Sequence, residues 1–316
     1  MSLVTYTGEA IIESVKNLAM NPGSGSLGHT DDAVLTHINE EVSLRIVPAL
    51  LDAREDYWAV TTREVIPSTG RVRIPSRAIL GKVRYVCYVD SNGVRDYVDL
   101  TQASLLTKHE WNWSTTGKPD AFYLEGADIV LIGAAFTGSL ELSWFFRPGQ
   151  VVLSTECRRV TSVDTATKTV VLASAVPAGW TTESLFDVHS SKSGAEIKVW
   201  EATATAVGGS GITNRVTFAA AIDGTTFGTK AVEVGDWLCM TGEAALPALP
   251  EDMHPLLVRA GAARIAEARG DLDSLKAYHE LLEAAKKQMV NSTRARSGDG
   301  KLPTFGDKML WKANRG

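Results

Sequence analysis

The hydrophobic period of this chain changes twice, and no other feature constrains its fold as much. Up to about residue 55 the apolar positions recur at helical spacing; from about Trp58 to Met240 they alternate or fall in short runs; from Glu251 the helical spacing returns. Residues 6–20 predict a short amphipathic helix, with Ile11, Ile12, Val15 and Leu18 on one face. A Gly/Ser stretch from Asn21 to Gly28 ends it. Thr30-Asp31-Asp32 supplies an N-cap and an acidic first turn for a longer helix striped by Val34, Ile38, Val42, Ile46 and Leu50. Pro48 falls inside that stripe, so a kink or break is expected near Ser43 to Leu44.

The period-two region divides in two. Arg71 to Ile74, Val83 to Val89, Val94 to Leu100, Ala121 to Glu125, Ile129 to Ile132 and Ser139 to Phe146 predict strands. Asp90-Ser-Asn-Gly93 and Gly126-Ala-Asp128 are the hairpin turns, and Arg147-Pro148-Gly149 closes the sheet. Residues 150–240 form a distinct all-β block, with strands expected at Cys157–Val163, Thr169–Ala173, Ala195–Trp200, Arg215–Ala219 and Val232–Met240. Gly, Ser, Thr, Asp and Pro clusters separate them, the pattern of a small barrel or sandwich. Helices follow at Glu251–Arg269, stopped by Gly270, and at Asp271–Val290. Ala260-Gly261-Ala262-Ala263 keeps the first of them thin, so another helix can approach closely. Leu257, Gly261, Ile265, Leu272, Leu275 and Leu282 are the positions expected to pack in the core or between subunits.

At 316 residues the chain is long enough for about two domains, and 44% hydrophobic against 22% charged residues gives it a sizeable core, which excludes a wholly disordered chain. A formal charge of −5 and a pI near 5.7 argue against a generic nucleic-acid binder. No apolar run reaches the ~18 residues of a membrane span. No signal peptide is expected, because the N-terminus lacks a basic segment followed by an apolar one. Cys87, Cys157 and Cys239 are odd in number and far apart, which predicts a reducing compartment or a disulfide-free particle. Charge is distributed unevenly: residues 1–60 hold nine acids against three bases, and residues 291–316 six bases against two acids. Opposed patches of this kind steer association. Within that basic tail, Leu302, Phe305, Leu310 and Trp311 stand among Arg294, Arg296, Lys301 and Lys312. Apolar anchors in a basic segment read as a docking element that orders on a partner.

The search for chemistry returns little. Gly23-Ser-Gly-Ser-Leu-Gly28 spells the dinucleotide-loop pattern, but a helix precedes it where a strand is needed. His29, His37, His109, His189, His254 and His279 contain no metal-binding pair, and His254, in a first helical turn, is expected neutral and hydrogen-bonded. Adjacent acids such as Asp31/Asp32, Glu40/Glu41 and Glu251/Asp252 point to different helix azimuths and serve helix termini rather than paired-carboxylate chemistry. Trp111-Asn-Trp113 places two rings on one face of an extended segment, better explained by packing or an interface than by base stacking. No enzyme, no cofactor and no metal site is expected.

Several stretches, taken in order, resemble the head-to-tail connector (adaptor) proteins of tailed bacteriophages. Thr30-Asp-Asp-Ala-Val-Leu-Thr-His-Ile-Asn39 is similar to the family's opening helix. Ala121 to Ile132, followed by Gly138 to Pro148, resembles its β hairpin ending in Arg-Pro. Leu249-Pro-Glu-Asp-Met-His-Pro-Leu-Leu-Val258, followed by an Ala-rich helix and Gly270-Asp271, resembles its C-terminal signature. These pieces span roughly two thirds of the chain. The resemblance implies an α+β protein in which N- and C-terminal helices form a helical core with a β-hairpin sheet. Residues 1–149 and 241–290 would make that core, 150–240 an inserted all-β domain, and 291–316 an extended docking tail. It further implies a homo-oligomeric ring, commonly a dodecamer, at the virion neck. Its partners would be the portal protein, reached by the tail, and a tail or tail-completion protein, with packaged DNA passing the channel without sequence-specific binding. A different phage tail component, or a carbohydrate-binding module built on the β block, is the competing expectation.

Overall fold

The computed structural model describes residues 6–19, 30–53, 55–101, 117–133, 136–191, 194, 196–208, 213–225, 228–249 and 253–293. Helix α1 (Gly8–Ala19) turns Ile11, Ile12 and Val15 inward. Helix α2 (Asp31–Glu41) is capped by Thr30, whose hydroxyl accepts the Ala33 amide at 3.3 Å, and it buries Val34, Leu35 and Ile38. A π-helical turn (Val42–Ile46) then leads into α3 (Val47–Ala53), with the Val47 amide donating to the Val42 carbonyl. That wider turn is how the helix takes in Pro48, which has no amide proton and whose ring would meet the carbonyl four residues back.

The chain next builds two four-stranded sheets. The first has the order β1-β8-β3-β4, from β1 (Ala59–Val65), β3 (Ala78–Val89), β4 (Arg95–Tyr97) and β8 (Ser139–Phe146). The second has the order β2-β7-β6-β5, from β2 (Arg71–Arg73), β5 (Asp99–Leu100), β6 (Ala121–Glu125) and β7 (Asp128–Ile132). Leu140, Leu142, Trp144, Val86 and Tyr88 of the first sheet and Val72, Phe122, Ile129 and Leu131 of the second lie in one apolar cluster with the helices. The Asp90–Gly93 turn joins β3 to β4: the Asp90 carboxylate accepts the Asn92 and Val94 amides at 2.8 Å each, and Gly93 takes a φ of +80°.

Strands β9 (Gln150–Val151) and β16 (Glu243–Ala244) pair in parallel, so the chain leaves and re-enters this region side by side. The Asn39 side chain grips both backbone groups of Val151, at 2.8 and 3.0 Å, and ties β9 to α2. Between the two strands lies a closed six-stranded barrel, β10-β11-β14-β13-β12-β15. It is built from β10 (Arg158–Asp164), β11 (Thr169–Leu172), β12 (Leu185–His189), β13 (Ile197–Val207), β14 (Arg215–Phe218) and β15 (Trp237–Met240), and it has its own core around Val170, Phe186, Val216 and Leu238.

The chain ends in α4 (His254–Arg269), closed by Gly270 at φ +71°, and α5 (Leu272–Thr293). α4 packs on both α1 and α2. A Cβ added at Gly261 would stand 2.8 Å from Val15 and 3.3 Å from Ile38, so the glycine sets how closely the helices approach.

Two expectations are corrected. Among the described residues strand outweighs helix, 36% against 29%, and the core is not a bundle of helices carrying a hairpin. The sequence pairs β6 with β7 and β3 with β4 through tight turns. It carries no local signal for β1 with β8 or β2 with β7, pairings that turn two hairpins into two sheets. Nor is the chain free of disulfides: Cys157 and Cys239 are joined, with Cα atoms 4.6 Å apart. Arg158 pairs with Leu238 across β10 and β15, which makes the two cysteines the next cross-strand neighbours, a proximity that 82 residues of separation conceal. Cys87 is a buried free thiol.

Candidate functional site

The seam between the first sheet and the barrel gathers the polar chemistry of the molecule. Arg77, in the link from β2 to β3, reaches into the end of the barrel and pairs with Asp187 of β12; both side chains are buried. Asp187 accepts three further bonds, from the Glu201 amide at 2.8 Å, the Thr241 hydroxyl at 3.2 Å and the Gly242 amide at 3.3 Å. Arg77 also donates to the Arg147 carbonyl at 2.9 Å, and its guanidinium lies 5.7 Å from the centre of the Trp200 ring. A buried arginine needs this many acceptors, because stripping water from a charge is tolerable only when partners replace it. His189, two residues along β12, is wholly buried. Burial pushes its pKa down; the Asp187 carboxylate opposes that shift and the Arg77 charge adds to it.

Trp200 is the apolar half of the seam. Its ring meets Trp144 edge-on at 5.6 Å and Phe146 at 5.3 Å, so the barrel is docked on the sheet through aromatic contacts. Beside it opens a cleft of about 470 Å³. Tyr57, Val60 and Thr61 form one wall and Ile197, Trp200 and Lys230 the other, with the Lys230 ammonium paired to Glu196. At the same seam Glu201, in a left-handed conformation at φ +43°, accepts the Ser76 hydroxyl at 2.8 Å. Partial burial and then the Glu201 carboxylate push the Glu64 carboxyl above its ordinary range. On β13, burial works against the charge of Lys198. Its bonds to Glu233 at 2.8 Å and to Asp236 at 2.9 Å outweigh that penalty and hold its pKa above the usual value.

No family model matches the chain, and no curated protein matches it either.

The positions expected from the sequence fall in three groups. Leu257, Gly261, Ile265 and Leu282 are buried at the helix contacts, Leu275 is half-buried, and Leu272 is 74% exposed at the start of α5. Leu272 is therefore no part of the core within one chain. His254 is buried, with one ring nitrogen 3.1 Å from the Leu249 carbonyl and the Tyr6 ring edge-on at 5.2 Å. Arg294, Arg296, Lys301, Leu302, Phe305, Leu310, Trp311 and Lys312 lie outside the described residues, as do Gly23–Gly28 and Trp111–Trp113. Among the described residues no group of three His, Cys, Asp or Glu is placed to hold a metal ion. The sugar-platform idea loses rings to packing: Trp180 stacks edge-on to Phe186 inside the barrel, and Trp200 is taken up by the seam.

Sequence reasoning missed Arg77, Asp187, His189 and Glu201. The one signal that pointed toward them was the run Phe186-Asp187-Val188-His189, where charged and apolar residues alternate although every one is buried. An alternation in which neither face meets water is the mark of a strand between two packed surfaces, and here the second surface is the rest of the chain.

Proposed function

We propose that the chain is a virion structural protein, a ring-forming connector at the head–tail junction. In this reading it docks on the portal vertex, helps retain packaged DNA and offers the platform to which the tail attaches. The supporting observation is the convergence of the three separate stretches that resemble the adaptor family. Ile38 from the first, Phe122, Ile129, Leu140 and Trp144 from the second, and Leu249, Leu256 and Leu257 from the third all lie in one apolar cluster. Segments more than two hundred residues apart are thus parts of one structural unit, as a shared ancestral core requires. The barrel hangs from that unit by the β9–β16 pair, in keeping with a domain inserted into it.

The mechanism is assembly. Subunits associate side by side, and the basic tail, with Phe305 and Trp311 as anchors, orders on the portal. Ordering a tail costs roughly 1–2 kcal/mol per residue in backbone entropy, so the tail contact forms late, when the assembled portal offsets that cost. The acids of residues 1–60 would present to passing DNA a wall that its phosphates do not adhere to.

Negative-stain microscopy of the purified full chain, alone and mixed with the portal protein of its own genome, tests the reading. A ring, free or capping the portal, is the expected result. A monodisperse monomer that ignores the portal refutes the connector assignment and favours another tail component. Phe305→Ala combined with Trp311→Ala should weaken co-purification with the portal at least tenfold; unchanged co-purification removes the tail from the mechanism.

A further inference from the structure

We propose that two outward faces of this chain fit each other in neighbouring copies, so that subunits join head to tail. A basic patch on the back of the first sheet docks on an acidic stripe along the outer side of α2 and α3. The inference rests on the ring reading above and names the surfaces that build the ring.

The patch is set by β8, β3 and β4. Along β8, Leu140, Leu142 and Trp144 enter the apolar cluster shared with the helices, and Glu141 and Phe145 alternate to the other side. On that side Arg95 lies 3.1 Å from the buried Glu141 carboxylate, and the Lys82 ammonium stands 5.1 Å from the centre of the Phe145 ring. Tyr97 meets Tyr85 edge-on at 5.6 Å. Lys82, Arg84, Arg95 and Tyr97 are all exposed, and Lys82 and Arg84 make no ion pair among the described residues. The register of β3 against β8 slips between Ala78 and Val83. In that bulge Leu80, at φ +51°, and Gly81, at φ +66°, are both left-handed. Leu80 is 94% exposed beside Lys82. Strain of this kind in a non-glycine residue clusters at functional positions.

The stripe is set by the helices. Asp32, Thr36, Glu40, Leu44, Pro48 and Asp52 follow at every fourth residue and are all exposed, while Val34, Ile38, Ile46 and Leu50 enter the cluster. Asp32, Glu40 and Asp52 make no ion pair with lysine or arginine among the described residues. Leu44 is 71% exposed in the π-helical turn, a kind of turn frequent at functional sites.

Each face thus carries one exposed leucine among charges of a single sign, and the two signs are opposite. An apolar centre with complementary charges around it is what an interface needs. Both elements turn their apolar sides into the same cluster, so the patch and the stripe are kept apart within one chain and meet only between two. A contact between different faces of identical chains is heterologous; repeated, it closes into a ring or runs on as a filament. Duplex DNA would answer the charge of the patch but neither Leu80 nor the stripe, whereas a second copy answers all three. The contact uses three of the nine acids of residues 1–60, so exposed acids such as Glu13 and Asp31 remain for the channel wall.

Analytical ultracentrifugation of the full chain over a concentration series, at low and high salt, reads the contact, and negative stain reads it on the portal. Self-association that salt weakens is expected. Lys82→Gln with Arg84→Gln, and separately Glu40→Gln with Asp52→Asn, should each weaken it roughly tenfold, the loss of two exposed ion pairs. Mixing the two variants should restore association, but only as pairs, because each keeps one intact face. Faces that match themselves would give no such rescue and overturn the head-to-tail assignment. Leu80→Asn should weaken association yet raise the melting temperature, since asparagine tolerates the left-handed region, and a misfolded variant cannot give both signs. Rings that persist on the portal in every variant leave the connector reading standing and overturn this proposal. A parent chain that stays monomeric both free and on the portal overturns both. A monomer whose affinity for labelled duplex DNA falls in Lys82→Gln, Arg84→Gln would give the patch to nucleic acid and overturn the assignment to a second copy.

Discussion

Replacing Gly261 with alanine sets two effects of known size against each other. Gly261 is in the middle of α4, in ordinary helical geometry, where alanine favours the helix by about 1 kcal/mol over glycine. The added methyl, however, would stand 2.8 Å from Val15 Cγ2, 3.2 Å from Val15 Cγ1 and 3.3 Å from Ile38 Cγ1. Val15 is wholly buried and β-branched, so its rotamer cannot swing away, and Ile38 is wholly buried behind it. Relief has to come from moving α1 against α4, and overpacking of that kind costs about 1–3 kcal/mol. With neither neighbour able to turn away, the cost falls in the upper half of that range and the clash wins, with a net loss of about 1–2 kcal/mol. Two further glycines calibrate the measurement. Gly179 has open space around it, so Gly179→Ala should change stability by no more than about 0.5 kcal/mol. Gly270 also has open space but sits at φ +71°, so Gly270→Ala should lose about 1 kcal/mol through strain alone. Urea denaturation followed by circular dichroism at 222 nm gives all three values. If Gly261→Ala is as stable as the parent or more so, helix propensity has prevailed and α4 is not held against α1 by this contact.

Two further measurements address the barrel. His189 is neutral when buried and takes up a proton when unfolded, so the unfolded chain binds more protons in acid and stability rises with pH. The contribution is fully present above the ordinary histidine pKa of 6.5 and is lost as pH falls below it toward the depressed folded value. Denaturation at pH 7.5 and at pH 5.5 should show the loss, and His189→Gln should flatten the difference; an unchanged slope would place the protonation elsewhere. Thiol titration should find no reactive cysteine in the native chain and only one, Cys87, in denaturant without reductant. Finding three would exclude the disulfide. Reduction of the disulfide should lower barrel stability by up to about 4–5 kcal/mol, the loop-closure value for a link across 82 residues.

The sequence made the local geometry legible where one residue decides it. Thr30 marks the cap of α2, Pro48 the widened turn before α3, Asp90 and Gly93 the hairpin, and Gly270 the stop of α4, because each acts on neighbours within four or five positions. The fold class was not legible, since it depends on which strands become neighbours, and β1 and β8 are separated by residues 66–138, which carry no record of the pairing. Strand β12 was missed for a related reason. Asp187 and His189 are polar residues in a stretch with no strong strand signal, and only their placement between the barrel and Arg77 makes them interior. Strand β13 runs on past Trp200 to Val207 through the left-handed turn at Glu201, a bend that no residue preference announces because glutamate rarely adopts it. The seam was invisible for the same cause: its members come from more than five separate segments, and each is ordinary on its own.

What the Arg77–Asp187 pair contributes to that seam follows from its burial. Both groups have lost their water, and in such pairs the attraction roughly repays desolvation, so the pair as a whole adds little stability. Removing one partner is a different matter. Arg77→Met leaves a buried carboxylate held only by the Glu201 and Gly242 amides and the Thr241 hydroxyl, and Asp187→Asn leaves a buried guanidinium facing a neutral amide. Breaking a buried pair this way costs about 3–5 kcal/mol. In the double variant no charge is stranded, and the Asn carbonyl still accepts one of the amides, so its loss should be smaller than that of either single variant, about 1–2 kcal/mol. Thermal denaturation of the four proteins closes the cycle. Losses that simply add would mean the two side chains act independently and the seam is held by Trp200 alone. A double variant milder than its parents would show that the pair sets the orientation of the barrel on the sheet while the aromatic contact supplies the adhesion. In that case hydrogen exchange at the Glu201 and Gly242 amides should quicken in the double variant, even where its melting temperature is close to the parent's.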